Sequence, residues 1–491
     1  MRYHLSLSPD ALRNEPMLPH ILRDAGITDV WLTGFLYGYR YYPLQQTQQL
    51  AQQLRDVGLM PHLINVPLGH PGDSLGAHDG DLPLTPPPHW QLATDVNGNT
   101  FAGTSLHAPA TEENAQFLRD AASVGVDKIF LDDDFRLARS PGIIGGCFCP
   151  AHREQFLRQH GYPESTWDEL LEAVRTRTLC PVLEAWVNFC CDELTASFRA
   201  QQAAAPAIEL GPMVMFLGAE KAGIRLTDYA QVPVRVGEGM FDDESFSQVK
   251  CKTDELFSAL FHRRFVQPDL AYSETTAFPA DRLSARNMAA KLAIPLISDV
   301  RNVMFMSGLT AFPVTHWDTL APAMRTQNRI HVTIAGHTPR GPFKHYWGKG
   351  SRYVGDDRPY SLFLALGIPF EVTDNIRDGW VFMADADVRD ARTASAGAQL
   401  VSRPDVAIGT MHTFPETLTA LFALKHELLP TLHDVPVVLE DIPAVCAWYP
   451  TAHAALIWNL TEQRETLTVR YHGSQHPITL NGLEFSLLEN L

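Results

Sequence analysis

Long apolar runs are missing from this sequence. No stretch of about 18 uninterrupted apolar residues occurs in its 491 residues, so no membrane-spanning helix is expected. The first residues, MRYHLSLSPD, have no apolar run of signal-peptide length after a basic start. Cysteine is sparse: Cys147, Cys149, Cys180, Cys190, Cys191, Cys251 and Cys446 are seven, an odd number scattered along the chain. That excludes a secreted disulfide framework and predicts a reducing, cytoplasmic setting. Positive charge is in deficit, with 39 Lys and Arg against 56 Asp and Glu, a net charge of −17. Such a field argues against nucleic acid or an anionic membrane as partner and suits a neutral substrate. No Gly-rich phosphate loop follows the first apolar run, which counts against a dinucleotide-binding open sheet.

What is present is alternation. The length calls for several hydrophobic cores. Short β-like runs are expected near 3–8, 29–36, 62–68, 128–133, 209–217, 233–236, 270–273 and 309–312. Between them lie segments such as TQQLAQQLRDVG and EENAQFLRDAASVG, with helical apolar spacing and a terminal Gly. Repeated βα units of this length predict a (β/α)₈ TIM barrel over residues 1–335. From about Gly341 the texture changes to short strands such as DGWVFMAD and SRPDVAIG, which predicts an α/β unit with short strands over 336–433. Closely spaced β-runs from VPVVLE onward predict a small antiparallel β-sandwich over 434–491.

Polar residues collect where the barrel strands should end: Trp31, Asn65, Asp132, Asp133, Asp134, Glu220, Glu238 and Glu274. The C-terminal mouth of a barrel is where catalytic groups sit. KIFLDDDFR places three acids at the end of the fourth run, where mutual repulsion raises at least one pKa and suits a general acid. An Arg-paired or calcium-like acidic cluster is the other reading of those acids. YSETTAF places Glu274 after the seventh run. Two carboxyls roughly 5–5.5 Å apart would perform retaining glycoside hydrolysis, one as nucleophile and one as acid/base. Trp31, Tyr37, Tyr39, Trp317 and Trp347 are candidates for stacking on a sugar, each with the alternative of a place in the core.

CFCPAH sets Cys147, Cys149 and His152 at a spacing that suits tetrahedral zinc if a fourth ligand comes from elsewhere; two buried cysteines and a helix-cap His are the alternative. The run from DDDFR through GGCFCPAHREQFLRQHGYPESTWDELLEA, with DVNGNTFAGTSLHAPATEEN before it, resembles the glycoside hydrolase family 42 β-galactosidases. The motif-level likeness is confined to about residues 95–175. It implies that Asp134 is the acid/base and Asp133 the counterpart of the family's substrate-binding Asn, with Glu274 then the nucleophile; Asp132, Glu238, Trp31, Asn65 and Trp317 are further substrate-binding candidates read from the residues themselves. It also implies a structural Zn²⁺ on His107, Cys147, Cys149 and His152, with His107 standing where the family has a cysteine. A flavodoxin-like or amidotransferase-like character for the second domain and a homo-oligomer, a trimer above all, follow in the same way; a carbohydrate substrate follows from the paired carboxyls, and no organic cofactor is expected. Two departures stand out: Asp133-Asp134 replaces the family's Asn-Glu, and Gly103 lies near a family Arg that is missing here. Two alternatives stay open. One is a retaining α-glycosidase with its nucleophile in the Asp132–Asp134 cluster, and the other is a non-catalytic carbohydrate-binding barrel.

Overall fold

The computed structural model describes residues 1–36, 38–68, 86–104, 106–132, 135–139, 142–237, 239–308 and 310–491. Eight parallel strands form the first unit: β1 Arg2–Leu7, β2 Asp29–Leu36, β3 Met60–Val66, β4 Lys128–Leu131, β5 Glu209–Met215, β6 Val234–Gly237, β7 Ala271–Thr276 and β8 Asn302–Met306. β1 pairs with both β2 and β8, so the sheet closes on itself as a TIM barrel. The eighth strand is a correction: it is the NVMFM run and not the segment near 309–312.

The helices form as their apolar spacing demands. Leu44–Asp56 buries Leu50, Ala51 and Leu54, and Ala110–Ala122 buries Phe117, Leu118 and Ala121. Pro150–His160 begins with proline at its first position and stops at Gly161, whose φ of 66° is the left-handed cap glycine adopts without strain. The barrel interior is layered. Trp31, Ile64, Phe130, Tyr272 and Met304 make a separate buried cluster across its middle. Below it, at the strand starts, His4, Asp29, His62 and Asn302 are buried and hydrogen-bonded to neighbouring groups. Above it, at the strand ends, lie the side chains of the candidate site.

The second unit is a five-stranded, all-parallel sheet: β9 Phe343–Tyr346, β10 Phe370–Thr373, β11 Asp378–Met383, β12 Gly397–Ser402 and β13 His412–Thr413. Its order, β10-β9-β11-β12-β13, is the 2-1-3-4-5 order of flavodoxin-like sheets. The crossover from β10 to β11 is too short for a helix, and Ile376 within it is buried instead. This unit shares its core with the barrel. Phe257, on the barrel helix Val249–His262, stacks on His345 with ring centroids 3.9 Å apart and meets Trp347 edge-on. The third unit is antiparallel: Val437–Val438, Glu465–Tyr471 and Ser474–Leu480 form one three-stranded sheet, and Ala444–Tyr449, Ala454–Asn459 and Phe485–Glu489 the other. The barrel, the flavodoxin-like sheet and the terminal β unit all agree with the expected fold class.

Candidate active site

Asp132 follows β4 directly and its backbone N–H donates to the Asn65 carbonyl at 2.6 Å, which draws the ends of β3 and β4 together. Glu274 sits on β7 with a relative exposure of 3%. Between the two lies Arg235 of β6, completely buried. Its guanidinium pairs with the Asp132 carboxylate, and its Nε lies 3.2 Å from Glu274 Oε2. The second contact is an ion pair without the alignment of a hydrogen bond. The other Glu274 oxygen accepts the Thr276 hydroxyl.

Burial pushes the Glu274 carboxyl above its ordinary range; Arg235 pulls it back, and the charge of Asp132 adds to the rise. Asn65 has its Oδ1 occupied by the Phe35 N–H at 3.0 Å, while its buried Nδ2 has no partner among the described residues. A further clamp stands beside the site. Glu255 Oε1 accepts the N–H groups of Gly239 at 2.7 Å and Met240 at 2.6 Å, and Lys291 donates to the Met240 carbonyl at 3.1 Å. These contacts fix the segment immediately after position 238.

Asp133, Asp134, Glu238 and Tyr37 lie outside the described residues. The aromatic candidates are corrected by packing. Trp31 is 1% exposed, inside the barrel among His62, Phe130 and Tyr272, and its Nε1 donates to His4. Trp317 is buried in the outer core against Phe305 and Phe312, and Trp347 lies between the barrel and the parallel sheet. None of the three presents a face to a ligand. Tyr39 is half-buried beside Tyr41. Glu220 belongs to the domain contact, where Arg352 donates to it at 2.7 Å.

His107, Cys149 and His152 converge from two loops. His107 Nε2 lies 3.2 Å and His152 Nδ1 3.4 Å from Cys149 Sγ, and the three donor atoms are all within 4.8 Å of one another. Cys149 immediately precedes the helix Pro150–His160, which puts His152 on its first turn; His107 leads into Ala110–Ala122. A hydrogen bond from Cys147 and those from His152 and His107 hold the Cys149 sulfur well below the thiol range, against burial. That is the charge state a metal ligand needs. On its far side His152 Nε2 faces the Glu193 carboxylate at 4.0 Å, the kind of outer contact that orients a ligating imidazole. Cys147 is buried beside Cys149 but packs toward Ala93 and Phe101, outside the group of three.

Arg235 is the residue that reading the sequence missed. The signal was available: an Arg in the middle of the apolar run PVRV can be buried only beside carboxylates.

No protein-family model and no curated protein sequence matches this chain. Solved structures do match it in fold. A β-galactosidase from Rahnella sp. R3 superposes with a TM-score of 0.63 at 11% identity, covering 99% of this chain and 98% of that one. A β-galactosidase from the psychrophilic Marinomonas ef1 has a TM-score of 0.63 at 10% identity, with 100% of both chains covered. A catalytic mutant of a GH42 β-galactosidase from G. stearothermophilus has a TM-score of 0.62 at 11% identity, covering 99% and 98%. The likeness is one of fold, and it extends over the whole chain.

Proposed function

We propose that this chain is a retaining glycoside hydrolase acting on a neutral, β-galactoside-like substrate. The observation that carries the reading is the placement of Glu274. It is a buried carboxylate at the end of the seventh barrel strand, held by Arg235 and Thr276, in a fold that β-galactosidases share from end to end. In the first step the Glu274 carboxylate attacks the anomeric carbon while Asp134 protonates the departing glycosidic oxygen. In the second, Asp134 takes a proton from water, whose oxygen displaces Glu274 from the anomeric carbon. Asn65 offers its unpartnered Nδ2–H to a sugar hydroxyl, and Asp132, Asp133 and Glu238 accept hydroxyl hydrogens.

His107, Cys149 and His152 would hold one zinc ion, while Cys147, the expected fourth ligand, packs beside Cys149 outside that group. When bound, the ion supplies a structural clamp between the loop before Ala110–Ala122 and the loop that follows the acidic end of β4. The seven cysteines are all free thiols, which suits a cytoplasmic setting, and the family resemblance leads us to propose a homo-oligomer, a trimer above all. No helix among the described residues is long and apolar enough to cross a membrane.

A panel of aryl α- and β-glycosides, followed by NMR of the first-formed sugar, tests the reaction. Hydrolysis of a β-glycoside with release of the β-anomer is expected. Release of the α-anomer from an α-glycoside would move the nucleophile to the acids after β4, and tight sugar binding without turnover would leave a binding protein.

A further inference from the structure

A buried arginine is costly unless its charge is matched, the residual penalty being several kcal/mol even after relaxation. Arg235 is completely buried, and its side chain spends its donors unequally. One nitrogen pairs with Asp132, and Nε faces Glu274 at 3.2 Å. Nη1 meets only the sulfurs of Met304 at 3.2 Å and Met306 at 3.6 Å, which are weak acceptors. Its guanidinium carbon lies 5.5 Å from the centre of the Phe130 ring, so the planar group is held over an aromatic face. Every strong acceptor it has among the described residues is therefore one of two carboxylates, one on the neighbouring strand β7 and one just after β4.

We propose that Arg235 is a positioning residue for the proposed hydrolysis: reaching across the barrel from β6, it holds Glu274 anionic and aimed for attack while sharing its charge with Asp132. This rests on Glu274 being the nucleophile. The geometry sets the balance. Glu274 is fixed at both oxygens, by the Thr276 hydroxyl on one side and the guanidinium on the other, so it turns little between attack and release. Among the described residues, the charged groups acting on it are Arg235 from β6, Asp132 after β4 and Lys291 from the helix Ala285–Lys291. β8 presents Met304 beside it, Tyr272 of β7 lies one layer below, and His4 of β1 lies beneath that layer. Burial and Asp132 favour the protonated carboxyl, whereas Arg235 and Lys291 favour the anion. Of these charged groups Arg235 is the one in contact with Glu274, so its removal tips Glu274 toward the neutral acid, which cannot attack.

The test uses the full chain labelled with carboxyl-¹³C glutamate, the Glu274 signal being assigned by its loss in Glu274→Gln. In Arg235→Met the Glu274 titration should move up by about one pH unit or more, the usual effect of a neighbouring opposite charge. Arg235→Lys should restore most of it, and Asp132→Asn should move it down. The acid limb of kcat/KM should shift by the same amount, with KM little changed. A folded Arg235→Met whose titration stays in place overturns the proposal. If that variant does not fold, an unmoved titration in Asp132→Asn overturns it as well. Titrations that move as expected in a chain without turnover on any glycoside would keep the charge balance but remove the reaction, and with it the positioning role.

Discussion

Glu255 accepts the backbone N–H of Met240 at 2.6 Å, and with it the N–H of Gly239, so one buried carboxylate closes the turn that follows β6. The turn begins one residue after Glu238, a proposed sugar ligand, and Lys291 lies 3.5 Å from the second oxygen of Glu255. The clamp touches no substrate but determines where the loop stands.

Glu255→Ala should lower kcat about tenfold through misplacement of that loop, since small displacements near reacting atoms are costly. The melting temperature should fall too, because two backbone N–H groups lose their acceptor. Steady-state kinetics beside a thermal melt check this. Unchanged kcat in a destabilised variant would make the clamp purely structural.

The paired donors His107, Cys149 and His152 predict one zinc per chain, with sulfur at about 2.3 Å and nitrogen at about 2.0–2.1 Å. Chelation should lower the melting temperature, and His107→Ala should release the ion more easily while leaving rapid single-turnover chemistry nearly intact. Elemental analysis and melts before and after chelation are the checks. A preparation free of zinc whose melt ignores chelator would contradict the site.

At the other end of the barrel, Asp29 accepts from His62 at 2.8 Å and pairs with Arg2 at 2.7 Å. Burial alone would raise its carboxyl, but the hydrogen bonds from His62 and Thr28 reverse this and hold it well below the usual range. A depressed folded-state pKa means stability that is present above the unfolded value near 4 and lost as pH falls below it. Asp29→Asn should therefore cost about 3 kcal/mol at neutral pH, and the gap to wild type should close on acidification. Denaturant melts from pH 7 to pH 3 read it directly. A gap that stays constant across that range would rule out this linkage.

The proposal of a homo-oligomer rests on the family resemblance of residues 95–175 and is tested by self-association. Sedimentation at micromolar concentration should give a species larger than one chain, a trimer in the simplest case. A single 54.7 kDa species would remove this part of the account.

Much of the fold was legible because barrel strands are buried on both faces and read as apolar runs: DVWLTGFL is buried at every position. The eighth strand was misplaced because VMFM follows a charged Arg-Asn and precedes Ser-Gly, so that SGLTAF carried the stronger turn and strand signals. Glu274 was legible from its place after a strand. Arg235 was legible only in part: its place in PVRV calls for carboxylate partners, but which two, 103 and 39 positions away, only barrel closure decides. The tryptophans misled for a related reason. Trp31 and Trp317 are as suited to a core as to a sugar platform, and only packing distinguishes the two.

The central claim is that Glu274 attacks the anomeric carbon. Azide rescue of Glu274→Ala on an activated β-glycoside tests it most directly, because a small anion can replace the missing carboxylate only where the nucleophile stood. The account predicts turnover reduced by several orders of magnitude, an unchanged fold, and azide-restored activity yielding an α-glycosyl azide. Near-normal turnover without azide, or no glycosyl azide formed, would contradict it.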